Sequence, residues 1–254
     1  MPFISGLTQL HSLSIVGMAK NTGKTECLNY VLRRLWDEYP QVSLALTSIG
    51  IDGERRDQVT QTDKPEICLH PGTVFVTAEK FYRNKLVAAE VVGIDEQYTT
   101  SLGRAIYAKS KGTGKVLIAG PASTGGLKHI IRKMRDRDID LTIIDGALSR
   151  ISLAAPSVSE GMILATGAAY SVQPEELIRK THHLYRLIQL PEFPSRAIAE
   201  NLADAERGMF VIDAEGNVFE TGFISALSDR IWQDVEWLQR GDTLFVAGGV
   251  SDLL

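Results

Sequence analysis

Cysteine is nearly absent from this chain. The two present, Cys27 and Cys68, are too few for a disulfide framework. Cys27 falls on the apolar face of an expected helix and Cys68 in a short strand-like segment, so both are expected as buried free thiols. No group of Cys and His has metal-site spacing. The adjacent His182 and His183 point in different directions on a helix and fit a solvated or capping role better than a ligand pair. Also lacking is an apolar run of the roughly 18 or more residues that a membrane helix needs. The first residues, Met-Pro-Phe-Ile-Ser-Gly, have neither the basic end nor the apolar segment of a signal peptide. A cytoplasmic protein that does not enter the membrane is expected. Basic charge is not in excess: the net charge is −4 and the pI near 5.8, which gives no general attraction to nucleic acid. There is no internal repeat, low-complexity stretch or linker. With 254 residues, 44% hydrophobic and 23% charged, usage is ordinary for a globular protein with a large core.

What is present begins at residue 13. Leu13 to Val16 read as a buried strand broken by Gly17, and a glycine-bearing loop leads to Gly23-Lys24-Thr25. From Lys24 onward, apolar residues at Cys27, Leu28, Val31, Leu32, Leu35, Trp36 and Tyr39 recur as one face of a helix, which Pro40 ends. Strand, glycine-bearing turn, Gly-Lys-Thr and helix together predict a phosphate-binding loop. Backbone N–H groups at a helix start and the positive end of its dipole cradle phosphate oxygens. The loop residues Gly17, Lys20, Asn21, Thr22, Gly23, Lys24, Thr25 and Glu26 are the expected nucleotide contacts. Lys24 reaches the β- and γ-phosphates, and the Thr25 hydroxyl sits on Mg²⁺. The common spacing puts four residues between the first Gly and Gly-Lys-Thr. Here five residues separate Gly17 from Gly23, with Met18 where a Gly usually falls. That longer loop resembles the variant in dethiobiotin synthetase and the cobyric acid synthase group.

The remaining chain alternates strands and helices, which predicts an α/β fold: a mostly parallel sheet with helices on both faces, as one nucleotide-binding domain over residues 1–254. Val42 to Thr47 is an expected strand leading into a charged, glycine-bearing loop at 48–57. There Asp52 or Asp57 is a candidate direct or indirect Mg²⁺ partner and Arg55 or Arg56 a γ-phosphate sensor, the alternative being a solvated turn. Between 66 and 115, strand follows strand (72–77, 86–92, 103–108), which predicts an antiparallel insertion. Val116 to Ala119 runs into the small-residue loop Gly120–Gly126 and a helix from Leu127. Ile139 to Asp145 is an apolar run ending in an acid, so Asp145 is the expected metal-side carboxylate. Later elements are a strand at 161–165, a helix from Pro174 to about Ile188 with Glu175 and Glu176 in its first turn, a hairpin at 209–221, an amphipathic helix at 226–238 and a strand at 244–246. The chain stops where a further helix is expected to begin, which predicts a truncated chain or the first part of a longer protein. The oligomeric state is open, a homodimer included.

The segment Asn-Lys-x-Asp, which carries guanine specificity in most P-loop GTPases, is missing; the only Asn-Lys, Asn84-Lys85, runs on to Leu-Val. ATP is therefore the expected nucleotide. Gly17-Met-Ala-Lys-Asn-Thr-Gly-Lys-Thr25, Thr47-Ser-Ile-Gly-Ile-Asp-Gly-Glu54, Lys64-Pro65, Asp145-Gly-Ala-Leu-Ser-Arg150 and Ala165-Thr-Gly-Ala168 together resemble the P-loop subunit of the lysine 5,6-aminomutase reactivase. The resemblance spans most of the chain in order. It implies a nucleotide-driven reactivating chaperone that acts with a partner ATPase similar to MutS proteins. The implied client is an adenosylcobalamin- and pyridoxal-phosphate-dependent aminomutase in which damaged cobalamin has become stuck. Lys24 and Lys20 would then stabilise the transferring phosphoryl group, with Thr25, Asp145 and Asp52 around Mg²⁺. This chain has no cobalamin-ligand His motif, so the corrin is expected on the client. The competing expectation is an ATP-dependent carboxylate ligase similar to dethiobiotin synthetase. A scaffold that binds nucleotide without turnover is a third.

Overall fold

A computed structural model describes residues 3–52, 67–100, 102–121, 123–147, 158–190, 195–202, 205, 208–223 and 238–247. In chain order, α1 (Phe3–Leu7) precedes β1 (Ser12–Gly17), α2 (Lys24–Glu38), β2 (Leu44–Ser48), β3 (Ile51–Asp52) and β4 (Ile67–Leu69). Next come β5 (Val74–Ala78), α3 (Glu79–Arg83), β6 (Ala89–Thr100), β7 (Gly103–Ser110), β8 (Gly114–Val116) and β9 (Ile118–Ala119). They are followed by α4 (Thr124–Arg135), β10 (Leu141–Ala147), β11 (Gly161–Ala165) and α5 (Pro174–Ile188). The last elements are α6 (Arg196–Leu202), β12 (Gly208–Ile212), β13 (Val218–Glu220) and β14 (Thr243–Ala247).

Seven strands form one sheet in the order β11-β1-β10-β2-β5-β7-β6. The pairs from β11 through β5 are parallel, and β7 and β6 are added antiparallel. The protein is therefore α/β, with a mostly parallel mixed sheet and smaller antiparallel sheets, β3-β9 and β4-β8 among them. Antiparallel pairing does occur between residues 66 and 115. It is continuous with the main sheet, because β5 pairs parallel with β2 on one side and antiparallel with β7 on the other.

Every residue of β1, β2 and β5 is buried, as expected of central strands covered on both faces. Successive side chains along a strand face opposite ways. Leu13 and Ile15 of β1, Leu46 of β2 and Leu141 and Ile143 of β10 pack with Leu28, Val31, Leu32 and Leu35 of α2. On the other face, Val16 and Ile144 meet Leu127 of α4, and Ala45, Val74, Val76 and Tyr107 meet its Ile130 and Met134. Helices thus cover both faces, each buried leucine or isoleucine contributing roughly 1.5–3 kcal/mol. Among the described residues, no helix is long and apolar enough to cross a membrane.

Two compact units divide the chain, Met1–Ile178 and Arg179–Leu254. In the second, β13-β12-β14 form an antiparallel sheet in which Phe210 packs beside Phe245, ring centroids 6.0 Å apart. The hairpin expected at 209–221 is β12–β13. Residues 224–237, which hold most of the helix expected at 226–238, lie outside the described residues.

The two cysteines are free, as expected, but half-buried rather than buried. Burial raises the Cys27 thiol above its ordinary value, which keeps it in the unreactive protonated form.

Candidate functional site

At the carboxyl end of β1, the chain turns at Gly17, where space is short. A Cβ there would meet Thr22 Oγ1 at 3.0 Å, Lys24 Cβ at 3.2 Å and the Ala19 carbonyl at 3.3 Å. The loop therefore folds back over its own first residue. Met18 N–H donates to the Ala165 carbonyl at 2.9 Å and ties the loop to the end of β11. Thr22 Oγ1 donates to the Ala19 carbonyl at 3.0 Å. Asn21 (φ 60°) and Gly23 (φ 83°) both take left-handed conformations, which Asn and Gly adopt at least cost. Such turns aim successive N–H groups at one point, the geometry of an anion-binding nest.

Helix α2 starts directly from Gly23, and no side chain caps it. The first-turn N–H groups of a helix have no acceptor within it, and the dipole places partial positive charge at the same spot. Exposed Glu26 sits in this first turn. Helix α4 differs. Its N-cap Ser123 accepts a hydrogen bond from Gly126 N–H at 3.2 Å, so part of its end is already satisfied from within. Between the starts of α2 and α4, it is that of α2 that has no side-chain cap.

Asp145 comes from the neighbouring strand. β10 pairs parallel with β1 in a register that sets Asp145 opposite Ile15 and Ala147 opposite Gly17. Alternation puts Asp145 on the same face as Leu141 and Ile143, the face that α2 covers. Its side chain is 2% exposed and that of Lys24 15%, and Lys24 Nζ lies 2.7 Å from Asp145 Oδ1. An acid this deep needs a counter-charge, and Lys24 supplies it.

The structure thus brings together Gly17, Asn21, Thr22, Gly23, Lys24, Thr25, Glu26 and Asp145. Lys20 lies exposed on the outer part of the loop. Asp52 is placed only by its backbone, on β3 opposite Ile118 of β9. Arg55, Arg56 and Asp57, with the rest of 53–60, lie outside the described residues. The start of that loop is nevertheless tied to the site: Ile49 N–H donates to the Asp145 carbonyl, Gly50 N–H to the Pro121 carbonyl and Gly120 N–H to the Gly50 carbonyl, each at 2.9 Å.

The donor set fits a Mg²⁺–triphosphate complex. Among the described residues, no group of three or more His, Cys, Asp or Glu side chains could hold a metal ion. Mg²⁺ needs no such cage when phosphate oxygens and water fill most of its shell beside one or two protein oxygens. Thr25 and Asp145 would be those protein oxygens.

A second polar cluster, not foreseen from sequence, lies between α4 and the sheet edge. Tyr107 Oη donates to Asp95 Oδ2 at 2.6 Å, and His129 Nε2 lies 2.8 Å from the same oxygen. The Arg137 guanidinium stacks 4.8 Å from the Tyr107 ring centroid. Burial, then the Asp95 hydrogen bond, pushes the Tyr107 phenol well above its ordinary value. Asp95 is followed by Glu96 and Gln97, so the local sequence carries no signal that sets it apart from an ordinary solvated acid.

No family model, curated protein or solved structure was found to match this chain.

Proposed function

We propose that the chain is a Mg-dependent ATPase of the dethiobiotin synthetase-like P-loop branch. We propose further that it works as a reactivating chaperone subunit, helping to release damaged cobalamin from a lysine 5,6-aminomutase-type enzyme together with a MutS-like partner ATPase. The observation that carries the nucleotide reading is the meeting of Lys24 and Asp145 at 2.7 Å beneath an uncapped helix start. A lysine, a buried acid on the adjacent parallel strand and a nest of N–H groups form the set of groups that phosphoryl transfer uses. Lys24 and exposed Lys20 would neutralise phosphate charge, while Thr25 and Asp145 would hold Mg²⁺. Bound Mg²⁺ supplies positive charge shared across phosphate oxygens.

The client reading rests on the sequence blocks and is compatible with the way the loops are connected. Asp145, Ile49, Gly50, Gly120 and Pro121 form one chain of backbone hydrogen bonds. A change at the metal-side strand end would therefore be felt at the loop before α4.

A second reading, the ATP-dependent carboxylate ligase, draws on a cavity of about 350 Å³ lined by Glu79, Lys80, Arg83, Asn84 and Leu102. It opens where α3 follows β5, and ligand loops in such sheets hang from the carboxyl ends of the strands. Lys80 offers a small acid a cation there, while Arg83 is engaged with Glu79 at 2.7 Å. The experiment that separates the readings is ATP turnover under two additions. Stimulation by an inactivated cobalamin aminomutase, with release of the corrin, supports the chaperone. Turnover that depends on a small carboxylic acid and yields an acyl phosphate supports the ligase.

A further inference from the structure

We infer that β6 pairs edge to edge with β6 of a second copy of this chain. The two strands run antiparallel about a two-fold axis between Val92 and Gly93, which sets Val91 of each copy opposite Ile94 of the other.

β6 ends the seven-stranded sheet, and among the described strands it pairs with β7 alone. The outer side of such a strand presents a row of backbone N–H and C=O groups, which natural edges guard against unwanted pairing. Here the edge is apolar instead: Val91, Val92 and Ile94 are 47%, 40% and 45% exposed. Val91 lies opposite Ala108 and Ile94 opposite Ile106, and both of these β7 residues belong to the core that α2 covers. Val91 and Ile94 therefore continue that core past its cover. A further strand along β6 would bury them.

The shape of the edge selects the occupant. Val92 is an extra residue, because Val91 pairs with Ala108 while Gly93 pairs with Tyr107, the adjacent residue of β7. A bulge of this kind puts a regular strand out of step. A second copy brings the same bulge, and the two-fold axis sets one against the other. Val91 then meets Ile94 in both halves of the pairing, which gathers four apolar side chains on one face. On the opposite face Glu90 comes to lie across from Asp95. Like charges there would oppose pairing, but each acid has a counter-group within its own copy. Lys111 Nζ is 2.7 Å from Glu90 Oε2, while Asp95 Oδ2 accepts from Tyr107 and lies 2.8 Å from His129 Nε2. The Arg137 guanidinium adds a cation to the same face, for a Cβ on Gly93 would meet its Nη2 at 2.9 Å.

Sedimentation velocity of the full chain, from low micromolar to submillimolar concentration, is the first arm of the test. Wild type is expected to dimerise. Ile94→Lys, which sets an ammonium against Val91 of the other copy, is expected to weaken the dimer at least about tenfold. The second arm reads the register by mixing Val91→Cys protein with Ile94→Cys protein under mild oxidation. The mixture is expected to form an intermolecular disulfide that neither variant forms alone, since equal positions on the two strands lie three residues, roughly 10 Å, out of step. Cys27 and Cys68 are free in every sample and set the background. A wild-type chain that stays monomeric throughout overturns the inference and leaves this edge to a strand of another protein. A dimer that Ile94→Lys does not weaken, or a mixture that cross-links no better than its components, overturns it as well, the contact then lying elsewhere. Should Ile94→Lys fail to fold, the cross-linking decides.

Discussion

Lys24 and Asp145 form a buried ion pair, Nζ to Oδ1 at 2.7 Å, between the start of α2 and β10, the strand beside β1. Removing one member takes the opposite charge away from the other. Lys24→Ala should destabilise the fold by about 3 kcal/mol, since it leaves a carboxylate buried without its counter-charge. The double variant Lys24→Ala/Asp145→Asn should lose distinctly less, because no charge is left behind. Urea denaturation of the wild type, the two single variants and the double variant gives the coupling energy. Strict additivity would show that the two side chains do not interact.

Asp145→Asn keeps the shape of the site and removes a charge. ATP hydrolysis should fall by about 100-fold, the scale of losing one electrostatic contributor to a transition state. Affinity for Mg-ATP should weaken by less than about tenfold, because the loop N–H groups and Lys24 remain. Hydrolysis at the wild-type rate would remove Asp145 from the site.

Two glycines are expected to respond differently to an added methyl. At Gly17, the nearest atoms to a new Cβ are 3.0 Å or more away, two of them on side chains within the loop. Gly17→Ala should therefore reshape the phosphate loop and lower nucleotide affinity, at a stability cost on the order of 1 kcal/mol. At Gly120, the new Cβ would fall 1.9 Å from the Ser48 carbonyl oxygen and 2.8 Å from Thr47 Oγ1, which forces backbone apart. Gly120→Ala should cost about 3 kcal/mol or more. Thermal melts and ATP titrations of the two variants check the order, and a Gly120→Ala protein as stable as wild type would contradict the packing described.

Much of this site was legible along the chain because its parts are local. A strand, a glycine turn, Gly-Lys-Thr and an apolar helical period occupy consecutive residues, and the strand carrying Asp145 announces itself as an apolar run with an acid at its end. The sheet edge was less legible. β6 begins at Ala89 and runs to Thr100, with register shifts after Val91 and Asp95. The apolar residues of 86–92 predict a strand over that range, which stops before the acids Asp95 and Glu96. On an edge strand, such acids face solvent or, in the case of Asp95, find Tyr107 and His129 from distant parts of the chain. Trp36 was expected on the buried face of α2, yet it is 42% exposed and stacks on His70 at 4.9 Å instead. Periodicity assigns a side chain to a face without saying what the rest of the fold brings there.

Tyr107 gives a pH dependence with a definite sign. Its phenol is raised in the folded protein, chiefly by burial and then by the Asp95 hydrogen bond. Its contribution to stability is fully present below the ordinary tyrosine value of about 10. Above that pH the unfolded chain loses a proton that the folded one keeps, so stability falls by up to about 1.4 kcal/mol per pH unit. Tyr107→Phe should flatten that alkaline slope. At neutral pH it should cost about 1–3 kcal/mol, because Asp95 loses a buried donor. Denaturation curves between neutral pH and pH 11 on both proteins test this, and identical slopes would place the alkaline transition elsewhere.

The most direct measurement is titration calorimetry of the wild-type chain and Lys24→Ala with Mg-ATP. The account predicts a single site on the wild-type chain, with affinity reduced by about 100-fold or more in Lys24→Ala, the scale of a lost charge-assisted contact to phosphate. Wild-type protein that gives no binding heat at any temperature, or a Lys24→Ala variant that binds as tightly as wild type, would contradict it.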